Sequence, residues 1–174
     1  MKEKQNSSDH GADVSVLFGA QGSSGEASQA DEQVRYGIRL GELGLLIPRE
    51  TFSEVVVAKD IYPLPNTQPW LKGVINDHGD VVPVYDLLQL FRLEATQTQK
   101  EALLVIDQRE YAVAIFIRQY PQPVRGTREP AEPSATVPEV LKEYVRAVYR
   151  VGGEQWIDFN HRDFFRSLKA WVAL

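Results

Sequence analysis

The chain has 174 residues, 43% of them hydrophobic, which suits one domain with its own core and a possible tail. Its net charge of −5 argues against nucleic-acid binding, which normally needs a basic surface. It has no cysteine, which excludes disulfides and thiolate metal sites. The N-terminal lysines are not followed by the apolar region of a secretory signal, and no apolar run approaches the roughly 20 residues of a membrane span. We therefore expect a cytoplasmic protein without membrane insertion.

Residues 1–33 are predicted to form a flexible tail before a folded domain that covers residues 34–174. The tail is rich in Ser, Gly, Gln and Asp and has few large apolar side chains. Burial therefore cannot offset the entropy lost on ordering it. The exception is Val14–Phe18, which is either an apolar patch within the tail or a short strand or docking peptide.

Three short strands are predicted at the start of the domain. Residues 34–40 alternate apolar and polar side chains, the pattern of a half-buried strand. Residues 43–47 form a second strand that ends at Pro48, and residues 52–57 form a β-branched third strand. Glu54 interrupts the apolar run of the third strand, and we predict that it faces solvent.

A proline-bracketed stretch follows and is the most distinctive part of the chain. Pro63, Pro65 and Pro69 fix its shape, and a fixed exposed shape is typical of a recognition surface. Trp70 comes next as an aromatic anchor. The nearby apolar residues suit the core at most positions, but an exposed subset beside the prolines would make a protein-binding groove. These residues are Val55, Val57, Leu64, Trp70, Val74 and Ile75.

A β-hairpin is predicted after the prolines. Its strands are residues 73–76 and 81–85, and residues 77–80 form the turn, where Gly79 supplies a positive φ. Pro83 has no N–H to donate to a strand ladder. We therefore predict that the return strand lies at a sheet edge or carries a bulge.

Two helices are predicted, and each begins at a capping residue. Asp86 suits the N-cap of a short middle helix. Asn160 suits the N-cap of a C-terminal helix, with Asp163 at the capping-box position. Phe164 and Leu168 share one face of that helix, which we expect to face the core.

The second half of the domain is predicted to consist mainly of strands. Hairpins are expected from residues 102–106 with 111–117 and from residues 144–151 with 154–159, and another strand from residues 124–128. Residues 111–117 are apolar on both faces, which is typical of a central strand. Nine or ten short strands without βαβ alternation predict a mainly β fold, a small barrel and no parallel sheet.

No catalytic, cofactor or metal motif is found, and we expect no enzyme. Asp77 and Asp80 bracket the hairpin turn, where Asp is favoured for backbone reasons, so we interpret them as turn residues. The three histidines fit no metal-binding spacing, and without cysteine a zinc site is not indicated. Two other functions stay open: a β-barrel module for a ligand or nucleic acid, and a hydrolase that uses Asp77, Asp80 and His78.

Several short segments between residues 53 and 87 combine into one pattern. They are Ser53-Glu54-Val55-Val56, Leu64-Pro65 with Pro69, Trp70, Gly73-Val74-Ile75-Asn76, His78-Gly79, Pro83-Val84 and Asp86-Leu87. Together they resemble the signature of the CheW family, the adaptors that couple chemoreceptors to a CheA-type histidine kinase. The long tail, Trp70–Val74, and Tyr144–Tyr149 followed by Trp156 are most similar to PilI-type adaptors of type IV pilus chemosensory systems.

The resemblance implies a mainly β fold of two intertwined five-stranded SH3-like β-barrels with a hydrophobic groove between them, a short middle helix and a C-terminal helix. It implies a non-catalytic adaptor without cofactor in chemotaxis or twitching motility. Its partners would be the regulatory domain of a CheA-type histidine kinase and the cytoplasmic tip of a methyl-accepting chemoreceptor. The residues expected at partner contacts are Glu54, Val55, Val56, Leu64, Trp70, Asn76 and His78.

The chain departs from the family pattern at the hairpin turn, where His78 stands in place of an arginine. A guanidinium binds a carboxylate with two hydrogen bonds at any physiological pH, whereas an imidazole cannot. We therefore expect partner binding that is weakened, altered or pH-dependent relative to the family.

Overall fold

The computed structural model describes residues 34–57, 59–95, 100–125, 129–133 and 137–172. The tail predicted for residues 1–33, with its apolar segment Val14–Phe18, lies outside the described residues. The domain boundary at residue 34 therefore stays a prediction.

The described residues form eleven strands and three α-helices. The strands are β1 (Arg35–Leu40), β2 (Leu43–Leu46), β3 (Ser53–Val56), β4 (Leu71–Asp77), β5 (Asp80–Tyr85), β6 (Ala102–Ile106), β7 (Val113–Ile117), β8 (Gln122–Val124), β9 (Glu129–Pro130), β10 (Val145–Val151) and β11 (Glu154–Phe159). The helices are α1 (Leu87–Phe91), α2 (Glu139–Lys142) and α3 (His161–Val172). Within the described ranges, no helix is both long and apolar enough to cross a bilayer.

The strands form two intertwined sheets. One sheet has the order β8-β1-β2-β11-β10-β9 and joins the first strands of the domain to the last. The other has the order β3-β6-β7-β5-β4 and is built from the middle of the chain. The predicted mainly β fold with two intertwined sheets is confirmed. The first sheet has a sixth strand, the two-residue β9, beyond the five expected.

Two strand pairings are parallel, which the sequence analysis did not expect. β2 runs parallel to β11, and β5 runs parallel to β7, each through two residue pairs. Parallel neighbouring strands need a long connection between them. The connection from β5 to β7 contains α1 and β6, and the one from β2 to β11 contains most of the domain. The prediction was that no parallel sheet would form, and neither sheet of the described residues is parallel throughout; the two short parallel pairings were not foreseen.

Pro83 lies in an interior strand, so of the two alternatives predicted for β5, a sheet edge or a bulge, the edge position was wrong. The β4–β5 pairing does carry a register shift, which lies between Leu71 and Gly73 of β4. β5 has β7 on one side and β4 on the other. Pro83 pairs with Val74, whose backbone N–H and C=O both bond to Tyr62 on the far side of β4. The Val74–Pro83 pair therefore has no ladder hydrogen bond to lose, and the β7 ladder begins only at Val84.

Other strand limits differ locally from those predicted. β7 begins at Val113 instead of residue 111, because Arg109–Tyr111 forms a 3-10 turn. Its central position between β6 and β5 is confirmed. A strand was predicted for residues 124–128; β8 ends at Val124 after pairing with β1, and residues 126–128 lie outside the described residues.

The largest core cluster packs the two sheets against α1 and α3, and both predicted helix caps are present. A carboxylate oxygen of Asp86 accepts a hydrogen bond from the Gln89 N–H at 3.3 Å. The Asn160 side-chain oxygen accepts one from the Asp163 N–H at 3.4 Å. Phe164 is fully buried on the inner face of α3, as its spacing predicts.

Candidate functional site

A loop rich in proline runs along the outer edge of β4. Tyr62 and Val74 exchange two backbone hydrogen bonds, of 2.8 and 2.9 Å. Gly73 allows this close approach, because a Cβ there would lie 2.2 Å from the Tyr62 carbonyl oxygen and its φ is +138°. We call residues 62–65 the proline ridge. Its backbone is held in place while Tyr62 and Leu64 are 58% and 39% exposed.

Trp70 does not form part of this exposed surface, and its prediction as an accessible anchor was wrong. Its side chain is only 8% exposed and its ring stacks on Tyr85 with 6.0 Å between centroids. The Trp70 carbonyl also accepts a hydrogen bond from the Asp86 N–H at 2.7 Å, which holds the chain beneath the β5–α1 junction. Tyr62, which the sequence analysis did not select, is the exposed aromatic side chain beside the prolines.

The other apolar candidates divide between core and surface. The structure exposes Val57 and Leu64, half-buries Val55 and Val74, and buries Ile75. Val55 and Val56 follow the alternation of β3: Val55 packs on the large cluster and Val56 on a smaller one inside the second sheet. Their assignment to partner contacts stays a prediction.

Glu54 is buried, so its predicted solvent-facing position was wrong. It is 8% exposed and lies on the same face of β3 as Val56. One of its carboxylate oxygens, Oε1, lies 3.4 Å from Nε2 of His78. The resemblance assigned both residues to partner contacts, and the structure brings them together across the two edge strands of the second sheet.

Asp77 is more than a turn residue, because it is buried at the end of β4. It is 6% exposed and its carboxylate contacts the ammonium group of Lys59. The alternation of β4 buries Leu71, Ile75 and Asp77 on one face, so the inward direction of Asp77 could have been predicted from the sequence. Nothing in the sequence indicated Lys59 as its partner.

His78 and Asn76 shape the tip of the β4–β5 hairpin. His78 has φ +47° and a side chain that is 77% exposed. The Asn76 side-chain oxygen accepts a hydrogen bond from the Gly79 N–H at 3.3 Å, which supports the turn. A cleft of about 220 Å³ beside this tip is lined by residues that include Asp77, His78 and Asp80.

The matching family accounts for both the fold and this arrangement of strands. A family model described as CheW-like domain matches residues 36–168. The chain belongs to the CheW-like domain family. The resemblance found in the sequence is thereby confirmed at the family level, while the PilI-type assignment stays a prediction.

Two relatives show how far the sequence similarity extends. The protein FrzA of Myxococcus xanthus is 42% identical over 64 residues, which are 36% of this chain and 40% of FrzA. The chemotaxis protein CheW of Helicobacter pylori is 26% identical over 133 residues, or 75% of this chain and 79% of that protein. The match to FrzA thus spans less than half of its length.

A solved structure confirms the fold. The scaffolding protein TtCheW of Thermoanaerobacter tengcongensis superposes with a TM-score of 0.57 at 19% identity, covering 73% of this chain and 88% of that one. At this identity the likeness concerns the fold alone. The two-sheet, SH3-like architecture predicted for the CheW-like domain agrees with it.

In this CheW-like domain, the surroundings of Glu54 oppose its negative charge. Burial first, and then the negative charge of Asp77, raise the pKa of Glu54 above its ordinary value, while His78 acts in the opposite direction. Because the pKa of Glu54 is higher in the folded than in the unfolded state, its contribution to the free energy of unfolding is fully present below the unfolded-state pKa. That contribution is lost as the pH rises through the folded-state pKa.

Replacing Glu54 with glutamine should therefore increase the free energy of unfolding at pH 7. Gln keeps nearly the same shape but never carries the buried charge that costs stability above pH 4.5. Urea unfolding of both proteins in EDTA-containing buffer should give similar stabilities at pH 4 and a widening advantage for the variant up to pH 7. If the stability difference between the variant and the wild type narrows from pH 4 to pH 7, the raised pKa of Glu54 is contradicted.

Proposed function

We propose that this CheW-like domain is a non-catalytic cytoplasmic adaptor that holds chemoreceptors next to a CheA-type histidine kinase. The observation that supports this most strongly is the family match over residues 36–168. The relatives agree in kind, since one is named a chemotaxis protein and another a scaffolding protein. Within such systems, the long tail and the Trp70–Val74 segment favour a PilI-type adaptor in type IV pilus twitching motility.

Apolar side chains are exposed in the second sheet and in the segments next to it. They include Val57, Tyr62, Leu64 and Val81, with exposures from 39% to 72%. Exposed polar groups, among them His78, accompany them at the hairpin tip. Protein interfaces commonly combine an apolar, aromatic centre with a polar rim.

The proline ridge is suited to the centre of that interface. Tyr62 is an exposed aromatic residue on a backbone that its hydrogen bonds to Val74 and its neighbouring prolines already hold in place. Binding a partner therefore costs little conformational entropy for ordering this loop. We assign the proline ridge to the kinase regulatory domain or to the receptor tip.

Replacing Tyr62 with alanine and Leu64 with serine together should weaken binding to one of these partners at least tenfold. A buried aromatic residue at an interface commonly contributes about 2 kcal/mol or more. Biolayer interferometry with the purified kinase regulatory domain and, separately, the receptor cytoplasmic tip measures the effect. Both side chains are exposed in the isolated chain, so thermal unfolding should change little.

Tyr120→Ala is the matched control, because Tyr120 is 44% exposed and precedes β8 in the other sheet. Its affinity for either partner should stay within about twofold of the wild type, as for an ordinary surface change. Absence of wild-type binding to both partners at high micromolar concentration would end the partner assignment. Binding that the double variant leaves unchanged would move the contact away from the proline ridge.

A further inference from the structure

We propose that Glu54, Asp77 and His78 form a binding site for one divalent transition-metal ion of the Zn²⁺ type. Each residue offers one ligand atom, and these atoms all lie within 4.8 Å of one another. The site would join β3 to the β4–β5 hairpin, the two edges of the second sheet. We call these residues the edge cluster.

The spacing of the edge cluster is close to that of a metal site. Zinc bonds to nitrogen and oxygen are about 2.0–2.2 Å, so two ligands of a tetrahedral ion lie roughly 3.4 Å apart. The Glu54 Oε1 and His78 Nε2 atoms are already 3.4 Å apart. The His78 side chain is 77% exposed, so its rotation can bring the three ligand atoms closer together.

A second observation separates this cluster from an ordinary group of surface acids. Glu54 and Asp77 are 8% and 6% exposed, and Oε1 of Glu54 is fully shielded from solvent yet makes no hydrogen bond. A buried polar oxygen without a hydrogen bond costs free energy. This oxygen has only the contact of 3.4 Å with Nε2 of the exposed His78, and an ion bound to both atoms would give it a close ligand bond.

Charge also favours a cation at this position. Two buried carboxylates, those of Glu54 and Asp77, place their ligand atoms within 4.8 Å of each other. Lys59 neutralises Asp77 from one side, but its ammonium contacts Asp77 and not Glu54. A divalent ion would attract both carboxylates at once.

The donor set selects the class of ion. Two carboxylate oxygens and one imidazole nitrogen suit Zn²⁺ and its first-row neighbours, whereas Mg²⁺ and Ca²⁺ prefer oxygen ligands alone. The cleft of about 220 Å³, which Asp77 and His78 line, provides an entry path and room for water ligands. A search for short metal motifs could not find this site, because its ligands come from two different strands.

Zinc titration of the purified full chain by isothermal calorimetry tests the proposal without any partner protein. After EDTA treatment and buffer exchange, the wild type should bind one Zn²⁺ and show no comparable heat with Mg²⁺. Glu54→Gln and His78→Ala should each weaken Zn²⁺ binding at least tenfold. Lys59→Gln should strengthen it about threefold or more, because a positive charge beside Asp77 is removed.

Two control variants show whether the effect belongs to the edge cluster. Asp80→Asn changes an exposed carboxylate on the same turn, and His10→Ala removes a histidine outside the described residues. Both should bind zinc within about twofold of the wild type, and circular dichroism should show that every variant is folded. Loss of binding in the His10 variant would place the ion elsewhere and overturn the proposal.

The remaining outcomes are equally decisive. A wild type that takes up no zinc in a saturable way, or one that prefers Mg²⁺, would overturn the site or its metal class. Unchanged affinity in the Glu54 and His78 variants would do the same. A Lys59 variant that binds no more tightly would show that Asp77 is not a ligand, which removes the three-residue site.

Discussion

Replacing Trp70 with alanine is expected to lower the free energy of unfolding by about 3–5 kcal/mol, the usual cost of deleting a large buried aromatic side chain. Trp70 is 8% exposed and stacks on Tyr85, which in turn contacts Phe165 of α3 with 5.2 Å between ring centroids. The substitution would therefore leave a cavity where the second sheet meets the C-terminal helix.

Urea unfolding followed by circular dichroism measures this effect without depending on tryptophan fluorescence. Trp70→Phe is the control, since it keeps an aromatic ring over Tyr85 and should cost clearly less than the alanine variant. An alanine variant as stable as the wild type would show that the ring is not part of the core. If the alanine variant is destabilised as expected and the phenylalanine variant is not, a loss of partner binding in the alanine variant alone would reflect unfolding rather than a missing contact.

The error over Trp70 shows where local sequence patterns stop being informative. The prolines correctly indicated a rigid exposed loop, and the structure holds it against Val74. They did not indicate the direction of the next side chain. That direction depends on the hydrogen bond between the Trp70 carbonyl and the Asp86 N–H, which forms only when the β5–α1 junction is in place.

The hairpins were predicted well because both of their strands and the turn are local. The pairing of β2 with β11 was not, since Gly44 and Trp156 meet only in the folded domain. Close approach of these strands needs Gly44, because a Cβ there would lie 2.6 Å from the Trp156 ring. A single glycine in an apolar run is compatible with many neighbours and does not specify this one.

The candidate site, too, was predicted only in part from the sequence. Glu54 and His78 were both selected through the family resemblance, and the structure places them 3.4 Å apart. The burial of Glu54 was not foreseen, because a charge within a short strand usually faces solvent. Asp77 was interpreted as a turn residue, since turn chemistry alone explains an Asp at that position. Its contact with Lys59 depends on how the chain leaves β3.

Replacing Asp86 with alanine is expected to cost about 3–5 kcal/mol, as for a buried ion pair from which one partner is removed. Asp86 is fully buried and accepts hydrogen bonds from both terminal nitrogens of Arg118, at 3.3 and 3.0 Å. It also caps α1 through the Gln89 N–H. The alanine variant would leave a guanidinium that is only 20% exposed without its carboxylate.

Asparagine at position 86 separates the cap from the charge. Its side-chain oxygen can still accept from the Gln89 N–H, so Asp86→Asn keeps the cap, worth about 1 kcal/mol, but loses the ion pair. We expect an intermediate loss in urea unfolding. A variant as stable as the wild type would show that the charge on Asp86 contributes nothing to the fold.

A double-mutant cycle with Arg118→Ala completes the argument, because it removes the charge that Asp86 neutralises. In that background Asp86→Ala should cost less than in the wild type, and the difference measures the coupling between the two residues. Arg118 also lies over the Phe116 ring at 5.1 Å, so its own loss includes that contact. An equal cost of Asp86→Ala in both backgrounds would assign its whole effect to capping, and α1 would then be held in place without the ion pair.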